Sequence, residues 1–355
     1  MYKKRLTKQI KVGDILIGGN ESIVIQSMTN TKTEDTKNTL KQIHDLAKAG
    51  AKIVRVAIPD KKAVTGFAEI VTKTKTPLVA DIHYDYKLAI AAIEAGAAKI
   101  RINPGNIGDK KQVLLILKKA KSAAVPIRIG INTGSLKKQK NKKNQDNHVK
   151  IALENAREYI DFFKDNKFEQ LIFSLKTSNV RGMIYLNELF SKEFDYPLHL
   201  GVTEAGTGKS GVIKSSIGIG TLLYQGIGDT IRVSLTGDPV KEIYTAKQIL
   251  SSLNLLQSSV NIIACPTCGR TDLDVENLAL KIEKKLKDIN KPLKIAVMGC
   301  SVNGIGEAGD ADFGICGSKK QGIIFAKGKI IKKVAHENLL SDFLTLLLSE
   351  ISENH

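Results

Sequence analysis

The chain predicts an α/β protein: a (β/α)8 barrel over residues 1–258 followed by a small α+β domain over residues 259–355. Three observations carry this. Eight short apolar, β-branched runs alternate with stretches of helical period through the first part, the alternation stops near Asn261, and all four cysteines (Cys265, Cys268, Cys300 and Cys316) lie beyond that point. At roughly 150 residues per domain, the chain's length suits about two domains.

The eight runs are Ser22–Met28, Lys52–Ile58, Pro77–His83, Lys99–Asn103, Ile127–Asn132, Gln170–Lys176, Leu198–Glu204 and Thr230–Leu235. Each precedes an amphipathic stretch, such as Thr39-Leu40, Ile43-His44 and Leu46-Ala47 after the first, with apolar residues three and four apart as on one face of a helix. Eight strand–helix units in about 240 residues match the count and size of a closed barrel, whose active sites form at the C-terminal ends of its strands. A doubly wound open sheet is the alternative, but it rarely reaches eight units in so regular a succession. The one long polar interruption, Ser135–Val149, follows the fifth strand and is either a solvated loop or a basic lid over an anionic ligand.

From Asn261 the pattern becomes a strand, a loop containing Cys265-Pro266-Thr267-Cys268, and a helix over Asp274–Ile289. A strand over Leu293–Met298 and a glycine-rich segment, Gly299–Gly317, follow. Two short strands, Gly322–Ala326 and Lys329–Val334, and a last helix over Glu337–Ile351 complete an α+β unit.

Composition narrows the function. Hydrophobic residues at 42% and charged residues at 25% are those of a globular protein and exclude disordered, collagenous and disulfide-scaffold classes. No apolar run is long enough to span a membrane. The basic N-terminus leads into Leu6-Thr7-Lys8-Gln9-Ile10-Lys11 rather than an apolar signal core, so a cytoplasmic location is expected. A net charge of +18 invites a nucleic-acid partner. Against that, aromatic residues are 5%, Trp is absent, and only 8 of the 54 basic residues are Arg, with the Lys spread along the chain. Such diffuse lysine reads as a solvated surface or a compositional bias rather than a nucleic-acid site, and it would still attract an anionic small substrate.

Half of the arginines sit inside apolar strands: Arg55, Arg101, Arg128 and Arg232. A guanidinium cannot escape burial by losing its proton, so each needs an anionic partner. Converging at the barrel mouth with Lys176, they form a clamp for phosphate or diphosphate; strand-end carboxylates such as Asp81 or Glu204 are the competing partners. Asn103-Pro104-Gly105-Asn106-Ile107-Gly108 is a turn whose N–H groups could cradle a phosphate, or a plain turn. Gly206-Thr207-Gly208-Lys209-Ser210 resembles a nucleotide-binding loop but has Thr203 where the pattern needs glycine, which excludes an NTPase. His83, two residues after Asp81, and His199 are strand histidines that either belong to the site or are satisfied core residues.

Without a signal peptide, the cysteine pair reads as a metal or redox motif rather than a disulfide. All four thiols around a structural zinc is one solution. The other is an iron–sulfur cluster held by three thiolates with a weaker fourth ligand, for which Glu307 is a candidate because the glycines around it let the loop fold back.

At this point the motifs become recognisable as a set. Gln26-Ser27-Met28-Thr29-Asn30-Thr31, Val79-Ala80-Asp81-Ile82-His83, Arg101 to Gly108, Leu198 to Gly206, Gly226 to Leu235, Cys265-Pro266-Thr267-Cys268-Gly269-Arg270 and Cys300 to Glu307 resemble, nearly end to end, the 4-hydroxy-3-methylbut-2-enyl diphosphate synthase family. These are iron–sulfur oxidoreductases of the methylerythritol phosphate route to isoprenoids, and the length matches their short bacterial, two-domain form. The resemblance implies reductive ring opening and dehydration of 2-C-methyl-D-erythritol 2,4-cyclodiphosphate, with two electrons supplied through one 4Fe-4S cluster per chain. It implies that Cys265, Cys268, Cys300 and Glu307 hold the cluster and that Cys316 does not. Arg55, Arg101, Arg128, Asn132, Lys176 and Ser234 would bind the diphosphate, joined by Arg232 from the strand-end argument and by Asn103 at the turn after the fourth strand. Glu204 would donate a proton, and Glu307 would serve catalysis as well as the cluster. Reduced flavodoxin or ferredoxin would be the electron donor, and the chain would work as a head-to-tail homodimer. A phosphate-binding barrel with a structural zinc domain is the alternative. The chain departs from the family pattern at Ile305, where proline is usual, and at Cys316.

Overall fold

A computed structural model describes residues 3–103, 106–132, 145–177, 179–256, 260–286, 289 and 291–353, so most of the polar interruption after the fifth strand lies outside the described residues. The chain divides into two compact units, Met1–Leu255 and Leu256–His355.

The first unit opens with a hairpin, β1 (Ile10–Val12) and β2 (Ile15–Ile17). Its barrel begins with β3 (Val24–Met28), α1 (Thr36–Ala49), β4 (Ile53–Ala57), α2 (Lys61–Lys73), β5 (Leu78–Asp81) and α3 (Tyr86–Glu94). It continues through β6 (Lys99–Ile102), α4 (Lys110–Ser122), β7 (Ile127–Asn132), α5 (Gln145–Asp165), β8 (Leu171–Lys176) and α6 (Val180–Glu193). The last two units are β9 (His199–Leu200) with α7 (Gly208–Tyr224), and β10 (Thr230–Ile231) with α8 (Pro239–Ser252). The eight strands run in the order β8-β7-β6-β5-β4-β3-β10-β9. A parallel bridge between Phe173 and Leu198 joins the ends of that order into a ring, with the Phe173 N–H donating to the Pro197 carbonyl at 2.9 Å.

The eight predicted runs coincide with β3 to β10, but the last two strands are shorter than their apolar patterns. The ladder stops at Gly201, where a side chain would meet the Arg232 carbonyl at 2.5 Å and Lys176 Nζ at 2.8 Å. Packing there is backbone against backbone and cation, which no hydrophobic pattern reports.

Each loop at the C-terminal ends of the strands must turn the chain back into a helix, and short polar side chains do this. Asp35, Asp60, Asp85, Asp109 and Asp238 cap α1, α2, α3, α4 and α8 by accepting a first-turn N–H, and Asn179 does so for α6. The helices bury one face each, as Ile43, Leu46 and Ala49 do in α1, or Ala63, Phe67 and Ile70 in α2.

The hairpin β1–β2 went unread in the sequence because two three-residue strands carry no measurable period. Ile10, Val12 and Ile17, all essentially inaccessible, pack on Val24, Ile53, Val79 and Ile172 from β3, β4, β5 and β8. The hairpin thereby plugs the N-terminal end of the barrel and leaves the C-terminal end as the open one.

The second unit holds β11 (Val260–Ala264), α9 (Val275–Leu286), β12 (Leu293–Met298), β13 (Phe313–Ser318), β14 (Gln321–Ala326), β15 (Lys329–Val334) and α10 (Leu339–Glu353). Its sheet follows chain order, parallel through β13 and antiparallel beyond. All of β13 but Ser318 lies within the glycine-rich segment Gly299–Gly317, where no strand was expected. Gly314 and Gly317 hide it from a propensity reading, yet the Phe325 ring fills the space where a Gly314 side chain would be. Among the described residues no helix is long and apolar enough to cross a membrane.

Ile10→Ala should lower the unfolding free energy by about 2–5 kcal/mol, read by urea denaturation, because it opens a cavity in the plug. A loss below about 0.5 kcal/mol would mean that the plug does not stabilise the barrel.

Candidate functional site

Alternation along parallel strands turns Arg55 of β4, Asp81 of β5, Arg101 of β6 and Arg128 of β7 toward the barrel axis. The register sets Asp81 opposite Arg101, and Arg101 opposite Arg128. Together with Lys176, Arg232, Glu204, Ser234 and His83 they line a cavity of about 300 Å³ at the C-terminal end of the barrel. Two glycines make room for the cations. A side chain at Gly130 would meet Arg101 Nε at 2.7 Å, and one at Gly201 would meet the Lys176 amine.

Asp81 is the hub. Its carboxylate lies 3.3 Å from Arg101 Nη1, 3.2 Å from His83 Nε2 and 3.8 Å from Arg55 Nε, with 3% of its side chain exposed. Burial alone would raise its pKa, but the Arg55 charge, the His83 hydrogen bond and Arg101 outweigh burial and hold the carboxyl well below its usual range. Arg55 Nε also reaches Met28 Sδ at 2.9 Å. Arg232 is paired separately, its Nε and Nη2 lying 3.3 and 3.4 Å from the Glu242 carboxylate of α8, which also accepts the Leu235 N–H.

These two carboxylates account for Arg55, Arg101 and Arg232 and leave the others uncompensated. Arg128 is 1% exposed; its Nε and Nη1 have no hydrogen-bond partner, and no carboxylate stands within ion-pair distance among the described residues. Burial first, then Arg55 and Arg101, disfavour its charge, yet a guanidinium keeps its proton. Lys176 is in the same position, pushed well below the usual lysine value by burial and then by Arg128, Arg232 and Arg55. Lys99, one inward step below Arg101 on β6, donates to the Gln26 amide oxygen at 3.3 Å and has no carboxylate in ion-pair reach among the described residues. His199 is fully buried, its Nδ1 2.6 Å from Thr230 Oγ1; burial, then Arg128, Lys176 and Lys99, keep it neutral. The mouth is therefore a preformed site for an anion of more than one negative charge.

Of the residues predicted to bind substrate, Arg55, Arg101, Arg128, Lys176, Arg232 and Ser234 line this cavity, as does Glu204. Glu204 holds a left-handed backbone, φ +55°, unusual for a non-glycine residue and suggestive of a functional turn. Asn103 does not line the cavity; it sits in the turn after β6, where its carbonyl accepts the N–H groups of Asn106 and Ile107. Asn132 ends β7 opposite Lys176, and its side chain lies outside the described residues. Sequence reasoning left Asp81 and His83 undecided and missed Lys99 and Glu242. The spacing of Lys99 two before Arg101 was the available signal for the first; Glu242 sits on a helix ten residues from Arg232 and offered none.

In the second unit, Cys265 and Cys300 follow the ends of the adjacent parallel strands β11 and β12. The Gly299 N–H donates to Cys265 Sγ at 3.1 Å. Cys268 is exposed, all four cysteines are free thiols, and Glu307 ends a π-helical turn, Val302–Glu307, that begins two residues after Cys300. Single π turns are frequent at functional sites. Cys316 packs instead with Ala296, Met298 and Phe325, and burial pushes its thiol up to about 11. The donors suit iron in kind and in placement at strand ends, although no three of them are gathered within metal-binding reach among the described residues.

Arg128→Met should stabilise the ligand-free protein by about 1–4 kcal/mol while abolishing the thermal shift induced by inorganic pyrophosphate. A destabilised variant would mean that the guanidinium is satisfied from within the chain. Asp81→Asn should be destabilising at pH 7. Because the folded pKa lies below the unfolded value of 3.8, the stability from Asp81 is present above pH 3.8 and fades only as pH falls below it, so the gap between variant and parent should narrow there.

Known proteins place this geometry. The description "GcpE TIM-barrel domain" matches residues 7–247, and "GcpE protein C-terminal domain" matches residues 261–349. A Clostridium acetobutylicum protein named 4-hydroxy-3-methylbut-2-en-1-yl diphosphate synthase (flavodoxin) is 52% identical over 95% of this chain and 97% of its own. Proteins of the same name from Caldanaerobacter subterraneus subsp. tengcongensis and Bacillus velezensis are 52% and 46% identical, over 99% and 98% of this chain and 99% and 93% of theirs. Among solved structures, dihydropteroate synthase from Stenotrophomonas maltophilia, with imidazole in its active site, is similar at a TM-score of 0.51. It covers 68% of this chain and 98% of its own at 12% identity, a likeness of barrel fold alone. Matched in both units by the family's two domains and half identical to its members over nearly its whole length, the chain belongs to the GcpE family.

Proposed function

We propose that the chain opens the ring of 2-C-methyl-D-erythritol 2,4-cyclodiphosphate reductively, taking up two electrons and two protons, releasing water and forming (E)-4-hydroxy-3-methylbut-2-enyl diphosphate. The observation that carries the reading is Arg128 with Lys176: a buried and a half-buried cation at a barrel mouth, without a carboxylate in ion-pair reach among the described residues, in a chain whose relatives carry the name of that synthase.

In this reading the diphosphate supplies the missing anion. Arg128 and Lys176 bind it directly, and Arg101 and Arg55 share their donors between it and Asp81, which fixes their orientation. Arg232 is held in place by Glu242, and Ser234 offers a neutral donor beside it. With the phosphate oxygens fixed, the carbon skeleton lies toward the open end of the cavity, where the Glu204 carboxyl lines the wall and gives its proton to a departing oxygen. Cys265, Cys268, Cys300 and Glu307 would hold one 4Fe-4S cluster, which when bound supplies the electrons from flavodoxin or ferredoxin. The reading includes a cytoplasmic head-to-tail homodimer, in which the thiol-bearing unit of one chain serves the barrel of the other.

Iron, zinc and acid-labile sulfide per chain after anaerobic purification test the cofactor. About four iron and four sulfide are expected; one tightly held zinc without sulfide, persisting after reconstitution, would overturn it. Co-expressing an Arg128→Met chain with a Cys300→Ser chain tests the assembly. Activity above either variant alone is the expected outcome, whereas two inactive variants that stay inactive together would remove the head-to-tail arrangement.

A further inference from the structure

The second unit carries a groove that neither the diphosphate site nor the candidate cluster ligands require. It has a volume of about 490 Å³, and Arg270, Asp272, Cys300, Val302, Lys319 and Lys320 line it. Three separate segments build it: the tail of the Cys265–Cys268 loop, the turn after β12, and the two-residue turn of the β13–β14 hairpin. Glycines let them close on one another. The Gly299 carbonyl accepts the Asp272 N–H at 2.9 Å, and a side chain at Gly317 would strike that same carbonyl at 2.6 Å and Leu273 at 2.9 Å. Ser318 Oγ donates to the Gln321 carbonyl across the hairpin turn, so the two lysines are presented on a braced tip.

The chemistry of this groove differs from that of the barrel mouth. Arg270, Lys319 and Lys320 are exposed, and none has a carboxylate within ion-pair distance among the described residues, while Asp272 is the one acid of the lining. Val302, an apolar side chain left 65% exposed, sits at the rim beside Cys300. Solvated lysines around a small apolar spot do not make a tight small-molecule site, but they suit a brief, salt-sensitive encounter with an acidic protein surface. Cys300 on the lining makes the groove a short route from solvent to a candidate cluster ligand.

We propose that this groove is the docking surface for the electron carrier, an acidic flavin mononucleotide protein of the flavodoxin class whose carboxylates meet Arg270, Lys319 and Lys320 around Val302. The proposal rests on the reductive reading above. At each encounter the carrier's reduced flavin would give up one electron and be oxidised, and Cys300 would help hold the iron–sulfur group that takes that electron up, so two encounters would serve one turnover.

The test is the charge reversal K319E/K320E in the reconstituted enzyme, beside the control K284E/K285E, which changes the net charge equally on the exposed face of α9. Titration calorimetry with a purified oxidised bacterial flavodoxin at low salt should show affinity falling about tenfold or more for K319E/K320E, with a flatter salt dependence, and by less than about twofold for the control. The KM for reduced flavodoxin should rise in parallel, while turnover with dithionite-reduced methyl viologen and the KM for the cyclodiphosphate stay unchanged. Unchanged flavodoxin affinity, an equal loss in the control, or a rise confined to the cyclodiphosphate KM would each overturn the proposal. Failure of the unmutated enzyme to turn over with methyl viologen would instead count against the reductive reading itself.

Discussion

Like charges held within one barrel repel, and they stay together only if the wall around them cannot relax. Arg128, Lys176 and Lys99 share an interior with Arg55, Arg101 and Arg232, while Asp81 and Glu242 are the buried carboxylates that answer them. The eight-stranded ring, closed by the Phe173–Leu198 bridge and plugged below by the β1–β2 hairpin, supplies that rigidity. Spreading the strands to let water in would break backbone ladders on both sides of each cation, so the repulsion is relieved most directly by an anion entering from above. A site of this kind sacrifices folding stability for preorganisation, a trade common where charge must be met in a dry cavity.

The same logic explains the side chains that bind nothing. Asp81 orients two guanidinium groups, Glu242 a third, and Met28 packs its sulfur against Arg55 and Arg232. Gly130 and Gly201 are wall positions where any side chain would displace a cation. His199 and Lys99 form the floor, with the imidazole held neutral by burial first and by the neighbouring cations second. The second unit follows a different plan: of the thiols at its strand ends Cys268 is exposed, Cys265 half-buried and Cys300 buried, while Cys316 is sealed in the core. One unit encloses its cations within a closed barrel, and the other carries its thiols at the ends of an open sheet.

Much of this was written in the order of residues. Period and β-branching marked all eight barrel strands, because a strand buried on both faces has little choice but Val, Ile and Leu, and an arginine in such a run has little choice but to face the interior. The spacing of the cysteines set the second unit apart before any geometry was known. The motifs from Gln26 through Glu307, taken together, pointed to the family that the relatives then bore out.

What the sequence could not decide was which charge meets which. Arg55, Arg101, Arg128 and Arg232 look alike in their strands, and only the closed ring, which brings β5 beside both β4 and β6, gives Asp81 to two of them and leaves Arg128 without a carboxylate among the described residues. Glu242 reaches Arg232 because α8 folds back onto the barrel, a contact between elements that local pattern does not encode. The β1–β2 plug and the glycine-bearing strand β13 were likewise invisible, since their stability comes from burial against distant residues rather than from their own propensity. Residue type and period therefore determined the elements and the sign of the site. Long-range pairing in the folded barrel decided which of its cations were left for a ligand, because compensation of buried charge depends on distance in space and not along the chain.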